Sequence, residues 1–125
     1  MLTRLKLYKK ENLVVIINIL STSNNTIINI SNINNKTLFF GSSGLLGIKG
    51  SRRSSSYIGQ ALSNLLGKKL LDLGVKYVYI RIKGFGKGRY SSIKGFFTLG
   101  FNILGISDIS PLPFNGCKQP KRRRI

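Results

Sequence analysis

Between Ser54 and Ile106 the spacing of apolar residues changes period three times, and nothing else in the chain limits its fold as much. Ile58, Ala61, Leu62, Leu65, Leu66, Leu70 and Leu73 recur every three or four residues, the pattern of an amphipathic helix facing a core. Ser54, Ser55 or Ser56 can cap its start, and Gly74 can stop it. Val75 to Ile82 then alternates like a strand, with Val75, Tyr77, Tyr79 and Arg81 on one face and Val78, Ile80 and Ile82 on the other. A glycine-rich loop, Lys83 to Arg89, leads into a shorter helix over Tyr90 to Leu99, with Gly100 as its stop. Phe101 to Ile106 reads as a last strand. Strand–helix–strand units require parallel neighbours joined by right-handed crossovers.

Upstream the pattern is all strand. Leu13 to Leu20 is rich in Val and Ile and reads as a strand buried on both faces. Ser21 to Asn25 is a turn cluster. Thr26 to Ile33 is a second strand, and Asn34-Asn35 suits a tight turn because Asn tolerates the left-handed conformation. Thr37 to Phe40 completes an antiparallel meander, and Gly41 to Ser56 is a glycine-containing loop. The expectation is an α/β fold in one domain over 13–110, a mixed five-stranded sheet covered by helices. A short basic segment, 1–12, precedes it. A basic tail, 111–125, follows, where Pro111 and Pro113 forbid regular structure.

Charge narrows the function. Lys and Arg number 21 against 3 acids, a net charge of +18, while an apolar share of 42% still allows a packed core. Such a surplus calls for a polyanion, with nucleic acid ahead of an anionic membrane surface. No segment pairs a strong apolar face with a basic one, as a membrane-surface helix would. The single cysteine, Cys117, excludes an internal disulfide and any Cys-x-x-Cys motif. With no His, the usual zinc sites and His-based acid–base chemistry are absent. The three acids, Glu11, Asp72 and Asp108, are too few and too scattered for a two-metal nuclease. Ile and Asn abound while Ala occurs once, at Ala61, a bias that fits an AT-rich genome such as those of organelles. Lys9-Lys10 before Leu13 to Leu20 mimics a secretory signal, but the run holds Asn18 and lacks a cleavage site. The start of the chain is not a long leader rich in Arg and Ser, so an organellar form is expected to be made inside its organelle.

Three basic motifs carry candidate chemistry. In Lys83-Gly84-Phe85-Gly86-Lys87-Gly88-Arg89, glycines would let the backbone approach an anion at the start of a helix, whose dipole favours negative charge. The same loop could be a structural turn. It could also serve a nucleotide-binding enzyme, with Asp108 twenty residues after Gly88 as a ribose-binding acid, although Arg89 replaces the last glycine of that pattern. Gly50-Ser51-Arg52-Arg53-Ser54-Ser55-Ser56 repeats the arrangement at the first helix: guanidiniums can fork onto phosphate, or the stretch is a helix cap beside solvated charge. Lys118-Gln119-Pro120-Lys121-Arg122-Arg123-Arg124 would thread between RNA helices, or is a run of the nuclear-localisation kind.

Together these stretches resemble a known family. Asn24-Asn25-Thr26-Ile27, Gly50-Ser51-Arg52-Arg53-Ser54, the 83–89 loop and the block from Asp108 to Arg124 stand in the order and at the spacings of the universal small-subunit ribosomal protein family numbered eleven. The resemblance runs from about Leu13 to Ile125, and its C-terminal block is the most specific part. It implies a ribonuclease H-like topology without catalytic carboxylates, no cofactor, and a structural role in translation. The implied place is the platform of the small ribosomal subunit, near the messenger RNA exit, on the central domain of the rRNA. Protein neighbours would be families seven, eighteen and twenty-one, with messenger RNA a further candidate contact; a free homo-oligomer is not expected. The implied rRNA-binding residues are Asn24, Asn25, Lys49, Ser51, Arg52, Arg53, Lys83, Lys87, Arg89, Lys94, Asn115, Lys118, Lys121, Arg122, Arg123 and Arg124. A mitochondrial ribosome is the expected location, with plastid or an AT-rich bacterial cytoplasm as alternatives. Departures from the family pattern are Phe85 and Lys87 in place of prolines, Phe114 in place of His, and Lys118-Gln119 in place of Arg-Pro. The family's basic N-terminal extension is reduced to Arg4, Lys6, Lys9 and Lys10.

Overall fold

A computed structural model describes residues 14–125, so the basic segment 1–12 and Leu13 lie outside the described residues. Five strands and two helices follow one another as β1 (Val14–Ser21), β2 (Thr26–Asn32), β3 (Thr37–Ser42), α1 (Ser56–Asp72), β4 (Tyr77–Lys83), α2 (Gly88–Thr98) and β5 (Asn102–Asp108). They form one mixed sheet in the order β3-β2-β1-β4-β5. β2 pairs antiparallel with both β1 and β3, whereas β4 pairs parallel with β1 and with β5. This is the expected meander continued by strand–helix–strand units. Every strand except β2 therefore points the same way, and α1 and α2 both start at the strands' carboxyl end.

Asn35 adopts φ 60 in the β2–β3 turn, as its neighbour pair predicts, and its N–H donates to the Asn32 carbonyl at 3.0 Å. Gly74, at φ 80, closes α1 by donating to the Leu71 carbonyl at 2.9 Å. Other boundaries move. β3 runs two residues past Phe40, and the loop after it winds into two short 3-10 turns, Ser43–Leu46 and Gly50–Ser54. α2 begins at Gly88, not Tyr90, so Arg89 sits inside its first turn.

The larger correction concerns β1. It alternates between fully and partly buried residues and is not enclosed on both faces. Val15, Ile17 and Ile19 join Ile28, Ile30, Val78, Ile80 and Ile82 in a core completed by Leu62, Leu66 and Leu70 of α1 and Phe96 of α2. Both helices lie on that one face. Among the described residues no element covers the other, so Ile16, Asn18 and Leu20 stay half-exposed. A Val/Ile run lacks the polar alternation that would reveal this.

A seam of small residues joins the helices. A Cβ on Gly59 would meet the Ser91 hydroxyl at 2.7 Å and the Gly88 carbonyl at 3.0 Å. On Gly95 it would collide with the Ser63 side chain. Ser92 is buried there, donating its hydroxyl to the Gly88 carbonyl at 2.7 Å. Because Gly59 is in the first turn of α1 and Gly88 opens α2, the two helix N-termini lie side by side.

Candidate nucleic-acid interface

Four segments leave the sheet at its carboxyl end: the β1–β2 turn with Asn24 and Asn25, the 43–55 loop with Lys49, Ser51, Arg52 and Arg53, the 84–87 loop after Lys83, and the chain beyond β5. The stretches that sequence reasoning picked out separately are thus brought to one end. Asp72 closes α1 at the opposite end, and Asp108 is the one described acid near the cluster.

At α1, Ser55 occupies the cap position but makes no side-chain cap bond, so the first backbone N–H groups are left to an outside acceptor. In front of them lies a cavity of about 600 Å³ lined by Lys49, Arg52, Ser55, Tyr57 and Ile58. Arg52 is exposed, while Arg53 reaches back to the Gly50 carbonyl at 3.5 Å and Ser54 bonds the Ser51 carbonyl at 2.7 Å. Cations, free donors and an exposed aromatic ring around one concavity suit a sugar–phosphate chain with a stacked base.

The glycine loop works differently from the sequence expectation. Its glycines face the β1–β2 hairpin and not an open anion site. A Cβ on Gly84 would strike the Ser21 carbonyl, one on Gly86 the Thr22 carbonyl, and one on Gly88 the Thr26 side chain. The Gly86 N–H donates to the Ser21 carbonyl at 3.0 Å. Of the two remaining readings, the structural turn accounts for the glycines, while the cations between them stay available: Lys83, Phe85 and Lys87 are all exposed. Arg89 is drawn inward. It donates to Asp108 at 2.7 Å and to the Gly84 carbonyl at 3.1 Å, with Phe85 and Tyr90 rings 5.6 and 5.7 Å away. Asp108, sought as a ribose ligand, is instead taken by Arg89 and by the Ser110 N–H at 2.9 Å.

Beyond Ser110, whose hydroxyl accepts from the Gly84 N–H at 3.0 Å, the chain leaves the domain. Every residue from Pro111 to Ile125 is exposed and without regular structure, including Asn115, Lys118, Lys121, Arg122, Arg123 and Arg124. Lys94 is exposed on α2, a turn and more beyond the cluster, and Asn25 is engaged in its own turn through the Thr26 N–H at 2.9 Å.

Comparison with known proteins decides the family. The Ribosomal protein S11 family matches residues 15–124. The chain belongs to the ribosomal protein S11 family. Among its relatives is "Small ribosomal subunit protein uS11" of Neisseria meningitidis, 44% identical over 110 residues, 88% of this chain and 84% of the relative. "Small ribosomal subunit protein uS11m" of Marchantia polymorpha is 45% identical over 105 residues, 84% of each chain. The uS11 protein of Chromobacterium violaceum is 43% identical over 110 residues, 88% of this chain and 84% of the relative. Membership makes the chain a structural protein of the small subunit and not an enzyme. Among the described residues no helix is long and apolar enough to cross a membrane, and no three His, Cys, Asp or Glu side chains gather as metal ligands would.

Sequence reasoning singled out Phe85 as a departure from the family loop but missed the exposed rings of Tyr57 and Tyr90 in this S11 domain. Tyr57, Phe85 and Tyr90 are 75, 84 and 76% exposed, all beside the helix N-termini. Tyr57 and Tyr90 stand just after the serine cluster and just after the glycine loop, and that position in the sequence was the available signal.

Hydrogen bonds from Ser110, side chain and then backbone, and from Arg89 pull the Asp108 carboxyl down from 3.8 to about 2. A carboxyl lowered in the folded state stabilises above its unfolded value, and that contribution fades as pH falls toward the folded one. The stability that the Asp108 clasp contributes is therefore full above about pH 4 and fades between pH 4 and 2, while in the folded protein the clasp itself titrates at about pH 2. Asp108→Asn should remove this acid-range step from the chemical shifts of the Gly84 and Ser110 amides. Persistence of the step in the variant would assign it to another group.

Proposed function

We propose that this chain is an rRNA-binding protein of the small-subunit platform, docking on the central domain of the rRNA near the messenger RNA exit. The observation that carries the reading is the convergence at one sheet end: two adjacent helix N-termini, the free cations Lys49, Arg52, Lys83 and Lys87, three exposed rings, and the root of the basic tail. An excess of +18 with 3 acids cannot be neutralised within the chain. The domain over 13–110 would supply the docking surface, and the tail over 111–125, with Asn115 at its turn, would run into an RNA junction. Arg53 and Arg89 would act partly by shaping loops, since each is bonded to backbone within its own segment. Ser51, Asn24, Asn25 and Lys94 complete the proposed contact set.

Most contacts would hold the RNA backbone and leave its sequence unread. Filter binding of the full chain to small-subunit rRNA should then show log K falling with log salt at a slope steeper than roughly −4, at about 0.7–0.9 per phosphate neutralised. A shallow slope would overturn the reading. Neighbours from families seven, eighteen and twenty-one, and contact with messenger RNA, belong to the same proposal, which protein cross-linking within intact subunits tests. The Ile- and Asn-rich composition supports a mitochondrial ribosome, and a mitochondrially named relative in a plant is compatible with it. Mass spectrometry of small subunits purified from mitochondria, plastids and cytoplasm distinguishes the locations.

A further inference from the structure

We infer that Asp108 is a positioning residue for RNA binding: it closes a ring of hydrogen bonds that fixes the direction in which the basic tail leaves the domain. This rests on the rRNA-binding reading and gives a carboxylate a part in holding phosphates that it would itself repel.

Gly84, Ser110, Asp108 and Arg89 close the ring. The Gly84 N–H donates to the Ser110 hydroxyl at 3.0 Å, and the Ser110 N–H donates to Asp108 Oδ1 at 2.9 Å. Arg89 donates through Nη2 to Asp108 Oδ2 at 2.7 Å and through Nη1 back to the Gly84 carbonyl at 3.1 Å. The glycine loop, the first turn of α2, the end of β5 and the root of the tail are thereby tied together. Each carboxylate oxygen serves one arm, and the charge-assisted bond to the guanidinium is the strongest link. The Ile109 N–H, donating to the Ile82 carbonyl at 2.8 Å, fastens the same stretch to β4.

What the ring holds is stiff. Pro111 and Pro113 each have a fixed φ, and each keeps the residue before it, Ser110 or Leu112, extended. A direction set at Ser110 therefore carries through to Pro113, and the cations of the tail, from Lys118 onward, lie beyond it. Fixing the root confines those cations to a smaller volume, which raises their effective concentration at phosphates next to the docked domain. Charge alone argues against an acid here. Asp108 pairs with Ile82, the neighbour of Lys83, at the sheet end where the free cations gather, and its side chain is 45% exposed. A carboxylate in that place repels phosphate. Asparagine, of the same shape, would not, but it offers only one accepting oxygen and cannot hold both arms.

The test is a double-mutant cycle on affinity for small-subunit rRNA at fixed salt. Asp108→Asn should weaken the full chain roughly fivefold, although it removes a negative charge. Ser110→Ala opens the ring at Gly84 without changing charge, and should weaken binding in the same direction. The second background is a full-length chain carrying Lys121→Gln, Arg122→Gln, Arg123→Gln and Arg124→Gln. There neither substitution should lower affinity, because the tail has only Lys118 left to aim. Unchanged or tighter binding by Asp108→Asn in the full chain, as expected if the acid only repels RNA, overturns the inference. So does an equal loss in both backgrounds, as expected if the ring merely braces the fold. Failure of the unaltered chain to bind rRNA would instead remove the rRNA-binding reading itself.

Discussion

A chain ended after Gln119 should bind small-subunit rRNA on the order of a hundredfold more weakly at 0.15 M salt than the full chain, with its salt slope shallower by roughly three. The deletion removes Lys121, Arg122, Arg123 and Arg124, all exposed and all in the segment that leaves the domain at Ser110. Four phosphates then keep their counterions, and the lost affinity is the entropy those ions would have gained. No residue of the core or packed against it lies beyond Ile103 in the chain, so the melting temperature and helical signal should not move. A drop in either would mean that the tail is part of the folded unit. An undiminished affinity would place the RNA contacts on the sheet end alone.

Gly84→Ala should have the largest effect on stability, a loss of about 3 kcal/mol or more. Gly84 has φ +88, a conformation that costs an L-residue about 1–2 kcal/mol. Its new methyl would also meet the Ser21 carbonyl, which is part of a strand and cannot step aside. Urea denaturation measures the loss. Gly74→Ala is the control: that glycine also has positive φ, but nothing lies within 4 Å of the added carbon, so only the conformational cost of about 1–2 kcal/mol should appear. Equal losses at the two sites would mean that the loop does not press on the hairpin.

Periodicity told the helices, the meander and the direction of the crossovers, because the Leu stripe of α1 and the alternation of β4 are local properties. It could not tell what lies on each side of β1, since Val14 to Ile17 is apolar at every position and only the placing of later helices leaves one face bare. The glycines of the 83–89 loop illustrate the same limit. Their spacing was legible, but their reason is a hairpin some sixty residues earlier, and no local pattern records that neighbour. Arg89 looked like a free cation because its partner, Asp108, is 19 residues away, at the end of β5. Gly59, Ser63 and Gly67 recur at four-residue spacing along α1, a signal of close approach that the apolar periodicity alone did not use. Convergence of the four candidate stretches at one end follows from four strands sharing a direction, and so was implicit once the strand–helix–strand order had been read.

If the chain binds rRNA as proposed, the glycine–serine seam between α1 and α2 has a consequence for which RNAs it would accept. Backbone contact, and not long flexible side chains, sets the gap between the two helix starts, so a bound strand meets a rigid caliper. Phosphates already spaced to that gap by the curvature of their own helix would dock without rearrangement, and a straighter or looser strand of equal charge would first have to be bent to measure.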